Sequence, residues 1–248
     1  YVIAGNTIYL GETAVSALAL VAAGVLSVAA KPLLQKLLTI LAVTLLAGTV
    51  ITAACCLPDA VSAGALASFG ASGVSRGYAV FSLVILAPWA FVGFEITSFE
   101  TAHFRFSVKK SGGIMLLAIL LAACAYIAMT LVSISALPDG FSSWQEYIAQ
   151  LDHLSGVASV PTFNAARAVM GPAGLAVIGI TALCAILTGI IGAYRAMVRV
   201  LSTMAEDHIL SERFSKTTHS ILFIMIISIS LALLGRNTLN WFVDLTSF

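Results

Sequence analysis

The sequence predicts an all-α polytopic membrane protein, and three observations predict it. First, 60% of the 248 residues are hydrophobic, only 9% are charged, and mean hydropathy is +1.05, whereas soluble domains carry about 25% charged residues. Second, charge-free stretches recur: residues 13–30, 37–58, 77–94, 111–138, 168–194 and 220–235 hold no Asp, Glu, Lys, Arg or His. A helix needs about 20 mainly apolar residues to cross a hydrocarbon core of about 30 Å, and all but the last stretch meet this with modest tilt. Third, the charge is placed asymmetrically. With the Lys31–Lys36 connection cytoplasmic and alternation from there, Lys31, Lys36, Arg105, Lys109, Lys110, Arg195, Arg199, Arg213 and Lys216 fall inside. Arg76, Arg167 and Arg236 fall outside, the bias of the positive-inside rule.

The elements follow in order. Residues 1–12 are mixed and Gly-containing, as a connecting loop. A first span at 13–30 is stopped by Lys31-Pro32, because Pro disfavours helix in the residue before it. A second span, about 35–57, ends at Leu57-Pro58, and Gly64, Gly70, Gly73 and Gly77 mark the loop that follows. The third span, about 78–103, precedes the basic connection Arg105-Phe-Ser-Val-Lys-Lys110. The fourth, about 112–137, is stopped by the turn signal Leu137-Pro-Asp-Gly140. Ser143-Trp-Gln-Glu146 has capping-box spacing and opens a loop helix, about 143–154. Gly171-Pro172 opens the fifth span, about 172–201, with Pro in the first turn, where its missing N–H is harmless. The sixth span is about 218–235, and a further one starts from 239. Together these read as a single transmembrane domain, 1–248, cut from a longer chain.

Chemistry concentrates in the third span, in Ala87-Pro-Trp-Ala-Phe-Val-Gly-Phe-Glu-Ile-Thr-Ser98. Glu95 follows a Gly-containing break in an apolar run, and an acid at membrane depth usually faces a cavity or a partner. It can take a coupling proton, pair with a substrate ammonium or lock a broken helix. The structural alternative is a carboxyl kept neutral by desolvation and bonded to nearby backbone. Phe91-Val-Gly-Phe94 is the expected break, where the ends of two half-helices can hold both ends of a zwitterion; the alternative is a lone Gly in an intact helix. Glu100 and His103, three apart, can touch on one helix face as a gate or relay, or be interfacial polar residues. Trp89 either lines the cavity or packs. Thr188 either offers a hydroxyl to a cation or bonds back to its own helix.

The four cysteines lie in apolar stretches without metal-ligand or disulfide spacing. HExxH, CxxC, Walker and GxSxG patterns are absent. No catalytic residue, metal, cofactor or nucleic-acid partner is expected, and the chain does not read as an enzyme.

APWAFVGFEITSF followed by HFRFSVKK resembles the sixth helix and following loop of amino-acid permeases of the amino acid–polyamine–organocation superfamily. YVIAGNTIYLGE at 1–12 is similar to the loop before their fourth helix. GIIGAYRAMVRVLSTMAEDHILSERF at 189–214 is similar to the end of their eighth helix, and Trp241–Ser247 to the start of the tenth. The resemblance implies an inverted-repeat (five-plus-five helix) secondary-transporter fold, incomplete in this chain, which would hold helices four to the start of ten. In that family substrate lies between unwound parts of helices one and six. The matching positions are Phe91, Val92, Gly93, Phe94 and Glu95, with Glu95, Glu100, His103 and Thr188 as coupling or gating candidates. Ala102 and His103 stand where many relatives have paired acids. Gly189 and Ile190 follow Thr188 where sodium-coupled relatives use hydroxyls. The second span also lacks the Lys that some proton-coupled relatives carry at that place.

The expected function is secondary active transport of amino acids by alternating access, coupled to protons or to a counter-substrate. The expected setting is a multi-pass protein of the plasma (bacterial inner) membrane, with amino acid, proton or counter-substrate and lipid bilayer as partners. Alternatives are a polyamine or organic-cation carrier and a non-transporting scaffold or receptor on the same fold.

Overall fold

The structure, a computed structural model, describes residues 2–3, 6–7, 10–29, 31–62, 75, 77–78, 80–82, 84, 91, 93 and 107–234. The described chain is helical apart from its connections and one short antiparallel pairing, Val2–Ile3 with Asn6–Thr7. The helices are α1 (Leu10–Val28), α2 (Lys31–Ser62), α3 (Ser111–Ser133), α4 (Trp144–Gln150), α5 (Pro161–Glu206) and α6 (Thr217–Ala232). Among the described residues, Pro32–Val61, Ser111–Ser133 and Pro161–Glu206 are long and apolar enough to cross a membrane. Thr13–Val28 and Thr217–Ala232 are apolar but shorter. A rise of 1.5 Å per residue gives the 16-residue α6 about 24 Å, less than a core of about 30 Å. Most of the expected third span lies outside the described residues, although Tyr78, Val80, Phe81, Ser82 and Val84 are helical. The expected span from 239 lies outside them entirely.

Local chemistry explains where helix ends differ from the sequence expectation. α2 runs through Pro58 to Ser62 instead of stopping at Leu57. Proline there leaves one carbonyl without its helical donor, a defect that membrane helices tolerate when neighbouring groups compensate. α3 ends at Ser133, short of 137. The Ser135 hydroxyl donates to the Val132 carbonyl at 2.8 Å, and the Ile134 N–H to the Thr130 carbonyl at 3.3 Å, so the last turn is capped before Pro138 is reached. α5 is kinked at Gly171, whose φ of 65° and ψ of −149° are not helical. Pro172 cannot donate back across the kink. The two arms close so tightly that a Cβ on Gly174 would overlap the Ala166 carbonyl.

The chain divides into two compact units: 1–40 with 186–248, and 41–185. In the first, α1, the start of α2, the second half of α5 and α6 enclose Ala23, Leu34, Ile191, Tyr194 and Ile224. The Tyr194 hydroxyl donates to the Leu20 carbonyl at 3.3 Å, and Gly24 lets α1 approach Met225 on α6. α5 closes with His208 in the left-handed region at φ 58°, where the Ile209 N–H reaches back to the Met204 carbonyl at 2.9 Å.

In the second unit the core is Ala53, Cys56, Val132 and Ala165, flanked by Leu57, Ala128, Ala136 and Val169. Small residues bring α2 and α5 together, and a Cβ on Gly48 would overlap the Thr181 side chain. Ser133 and Thr162 share a hydrogen bond of 2.8 Å between α3 and α5, and the Asn164 amide donates to the Ala136 carbonyl at 3.4 Å. Most helical hydroxyls bond within their own helix: Thr49 to Leu45, Thr52 to Gly48 and Thr181 to Val177.

The connection from α3 to α5 is a small folded layer. Ser143 caps α4, accepting from the Glu146 N–H at 3.2 Å. The Glu146 carboxylate accepts in turn from the N–H and hydroxyl of Ser142, at 3.1 and 2.6 Å. The return bond thus comes one residue earlier than in the usual capping box. Buried Tyr147 donates its hydroxyl to the Ala158 carbonyl at 2.6 Å and meets Phe141 and Trp144 edge-on.

Large apolar side chains stand on the outside. Leu18 is 69% exposed, Leu120 54% and Leu183 61%, and no residue in the most apolar window of α3 is buried. Soluble monomers rarely show contiguous apolar patches of such extent.

Two measurements test this packing. In detergent, Gly48→Ala is expected to lower stability by about 1–3 kcal/mol through overpacking on Thr181. Gly179→Ala, in a helix with open space around it, should raise stability by about 0.5–1 kcal/mol. Equal unfolding midpoints for the two variants would contradict the contact. Secondly, the Ser142 bonds hold the Glu146 pKa below its ordinary value. A depressed folded pKa contributes order above the unfolded value, about 4.3, and loses it as pH falls through the folded one. Amide exchange in α4, corrected for intrinsic rates, should quicken only on acidification below that value. The step should vanish in Glu146→Ala, and a wild-type profile without it would contradict the bond.

Candidate functional site

The candidate site is built on the third span, and two of its residues are described. Phe91 and Gly93 are both in turn conformation, and Gly93 has φ 109°. That angle lies in the left-handed region, which L side chains rarely adopt and which an α-helix does not contain. The backbone of the third span is therefore not continuous helix at Gly93. Upstream, residues 77–78, 80–82 and 84 are helical, and the Ser82 hydroxyl donates to the Tyr78 carbonyl at 2.9 Å.

Phe91 is half-buried, and its ring meets that of Tyr126 on α3 with centroids 5.7 Å apart and planes at 88°. This is the edge-to-face geometry that aromatic pairs favour. The Tyr126 carbonyl accepts from the Thr130 hydroxyl at 2.8 Å as well as serving its own helix. Tyr126 thus stands on a regular stretch of α3, beside a segment that is not regular. Sequence reasoning did not single it out, because an apolar helix with one Tyr carries no local signal of a partner in another helix.

Val92, Phe94, Glu95, Glu100 and His103 lie outside the described residues, as does Trp89. Thr188 sits half-buried on α5, in the unit that contains 186–248, and is engaged in an interaction of its own. Thr181, two turns earlier on the same helix, bonds back to Val177. Among the described residues, no group of three or more His, Cys, Asp or Glu is placed to hold a metal ion, and no cysteine is in a disulfide.

A turn of this kind has definite chemical capacity. Interrupting a helix releases up to four carbonyls on one side and four N–H groups on the other from their intrahelical partners. The released carbonyls form a partial negative pole and the N–H groups a partial positive one. In an apolar surrounding such groups need partners, and a small polar solute can be one.

No family model matches the chain, and no curated protein or solved structure matches it.

The turn at Gly93 is testable by itself. Gly93→Ala should cost about 1–3 kcal/mol, the usual strain of a side chain in a sparsely populated backbone region. Gly189→Ala, with nothing within 4 Å of the added carbon, should leave stability unchanged or raise it. Matching unfolding midpoints in detergent would contradict the left-handed turn.

Proposed function

We propose that the chain belongs to a secondary transporter for amino acids, a multi-pass protein of the plasma or bacterial inner membrane. It works by alternating access, coupled to protons or to exchange. The observation that carries this reading is the left-handed turn at Gly93, two residues before Glu95, the first charged residue after the charge-free stretch 77–94. Support also comes from three helices long and apolar enough to cross a membrane, from the inside bias of Lys and Arg, and from the resemblance of 87–110 to the sixth helix and following loop of amino-acid permeases.

On this reading the backbone around 91–95 binds the charged ends common to all amino acids. Carbonyls released before the turn attract the ammonium, and N–H groups after it attract the carboxylate. Glu95 acts next to this turn, as proton carrier or as ammonium partner. A carboxyl in an apolar site gains or loses its proton according to whether a cation is beside it, and this couples proton movement to substrate occupancy. The inverted-repeat fold supplies the rocking motion, with the third span of this chain in the moving bundle.

A polyamine or organic-cation carrier is the second reading, favoured by an acid at Glu95. A scaffold without transport fits less well, since it needs an uninterrupted third span and Gly93 is not helical.

The test is uptake of labelled amino acids by the full-length protein in proteoliposomes, with and without an inward proton gradient, beside Glu95→Gln. Saturable uptake that follows the gradient and falls at least tenfold in the variant is expected. Uptake of polyamines alone would select the second reading, and no uptake by folded protein under any gradient or preload would overturn transport.

A further inference from the structure

We infer that Tyr126 is a positioning residue for the proposed site, an aromatic strut on α3 that fixes the turn at Phe91 and Gly93. The inference rests on that turn being the solute site and deepens the transport reading by naming what holds it in place.

The argument starts from cost. A left-handed turn within an apolar span gives up intrahelical hydrogen bonds, so neighbouring structure must compensate it and hold one geometry. Phe91 is placed to do this, two residues before Gly93, and its half-buried ring meets Tyr126 edge-on. Tyr126 lies on a helix whose following turns carry side-chain bonds to the backbone: Thr130 bonds back to it, and Ser133 bonds back to Met129. The lower end of that helix is tied to α5 through the Ser133–Thr162 bond and packed through Val132 in the core. One partner is therefore anchored and the other flanks the irregular backbone, and restraint passes from α3 to the turn.

Edge-to-face packing between the two rings also has a consequence for movement. Such a pair tolerates sliding and tilting with centroids anywhere between about 4.5 and 7 Å. Phe91 can thus shift as the site opens without leaving the ring of Tyr126. The ring of Tyr126 is what makes this contact.

The test is a double-mutant cycle on Phe91→Ala and Tyr126→Ala, with Tyr126→Phe as the conservative variant. It is read by amide exchange of the peptide containing Gly93 and by substrate KM in proteoliposomes. Tyr126→Ala is expected to speed exchange at the turn and raise KM by about 2- to 12-fold, the range that corresponds to an aromatic pair, with kcat changed less. Tyr126→Phe, which keeps the ring, should lose less than Tyr126→Ala in both. The double variant should be no worse than the worse single variant. Additive effects in the cycle, or equal loss with Tyr126→Phe, would overturn the strut. The exchange measurement stands apart from transport: a wild-type protein that transports nothing refutes the proposed function, while unchanged exchange in Tyr126→Ala refutes the strut alone.

Discussion

One constraint organises the proposed membrane protein: in a hydrocarbon surrounding, the backbone must satisfy its own hydrogen bonds. Helices do so residue by residue, which is why a chain with 60% hydrophobic residues resolves into long helices with apolar side chains turned outward. The same constraint governs the polar side chains. Thr49, Thr52, Thr181 and Ser27 each donate to a carbonyl four residues back, so a hydroxyl can sit in an apolar helix without an external partner. Every departure from helix then needs its own compensation.

Among the described residues, two departures within apolar segments are handled differently. At Gly171 the chain turns and packs on itself, Gly174 against the Ala166 carbonyl, with Ala165 in the core beside Ala53 and Val132. That kink is half-buried at Gly171, with Pro172 and Ala173 exposed, and its tight side, Gly174 on Ala166, serves packing. At Gly93 the turn is flanked by an aromatic contact and is followed in sequence by an acid. The core packing beside Gly171 reads as architecture, and the acid that follows Gly93 in sequence reads as a site. Helix contact elsewhere is by small residues, Gly48 on Thr181 and Gly24 on Met225, the close approach that gains dispersion energy where lipid offers no hydrophobic drive.

Much of this was legible in local sequence, where the cause is local. Ser143 and Glu146 mark the start of α4 because a cap needs those side chains at that spacing. The return bond falls on Ser142 because its N–H and hydroxyl both reach the carboxylate. Gly171-Pro172 suggested the start of the fifth span, whereas helix already runs from Pro161 and the pair makes a kink within it, one residue permitting a positive φ and the other lacking a donor. Pro58 misled for the same local reason: its missing N–H suggested a stop, yet α2 continues to Ser62. Contacts between distant segments left no trace. Nothing near Tyr126 announces Phe91, 35 positions away, and nothing near Gly48 announces Thr181. The candidate site shares this limit, since Gly93 is recognisable as a break from its own chemistry but its support is not.

The most direct test of the account is thiol accessibility in proteoliposomes. It would use protein whose native cysteines are replaced by Ala and which carries a single new one at Phe91→Cys, Leu120→Cys or Ser142→Cys. A small, charged, water-soluble thiol reagent is added after the vesicles are made permeable to it on both sides. The account predicts rapid labelling at 142, in the connection before α4, and none at 120, where an exposed Leu faces lipid. It predicts slower labelling at 91 that substrate protects, because the turn opens to water. Fast labelling at 120 would contradict a membrane setting for α3, and complete inertness at 91 would contradict a water-accessible break at Gly93.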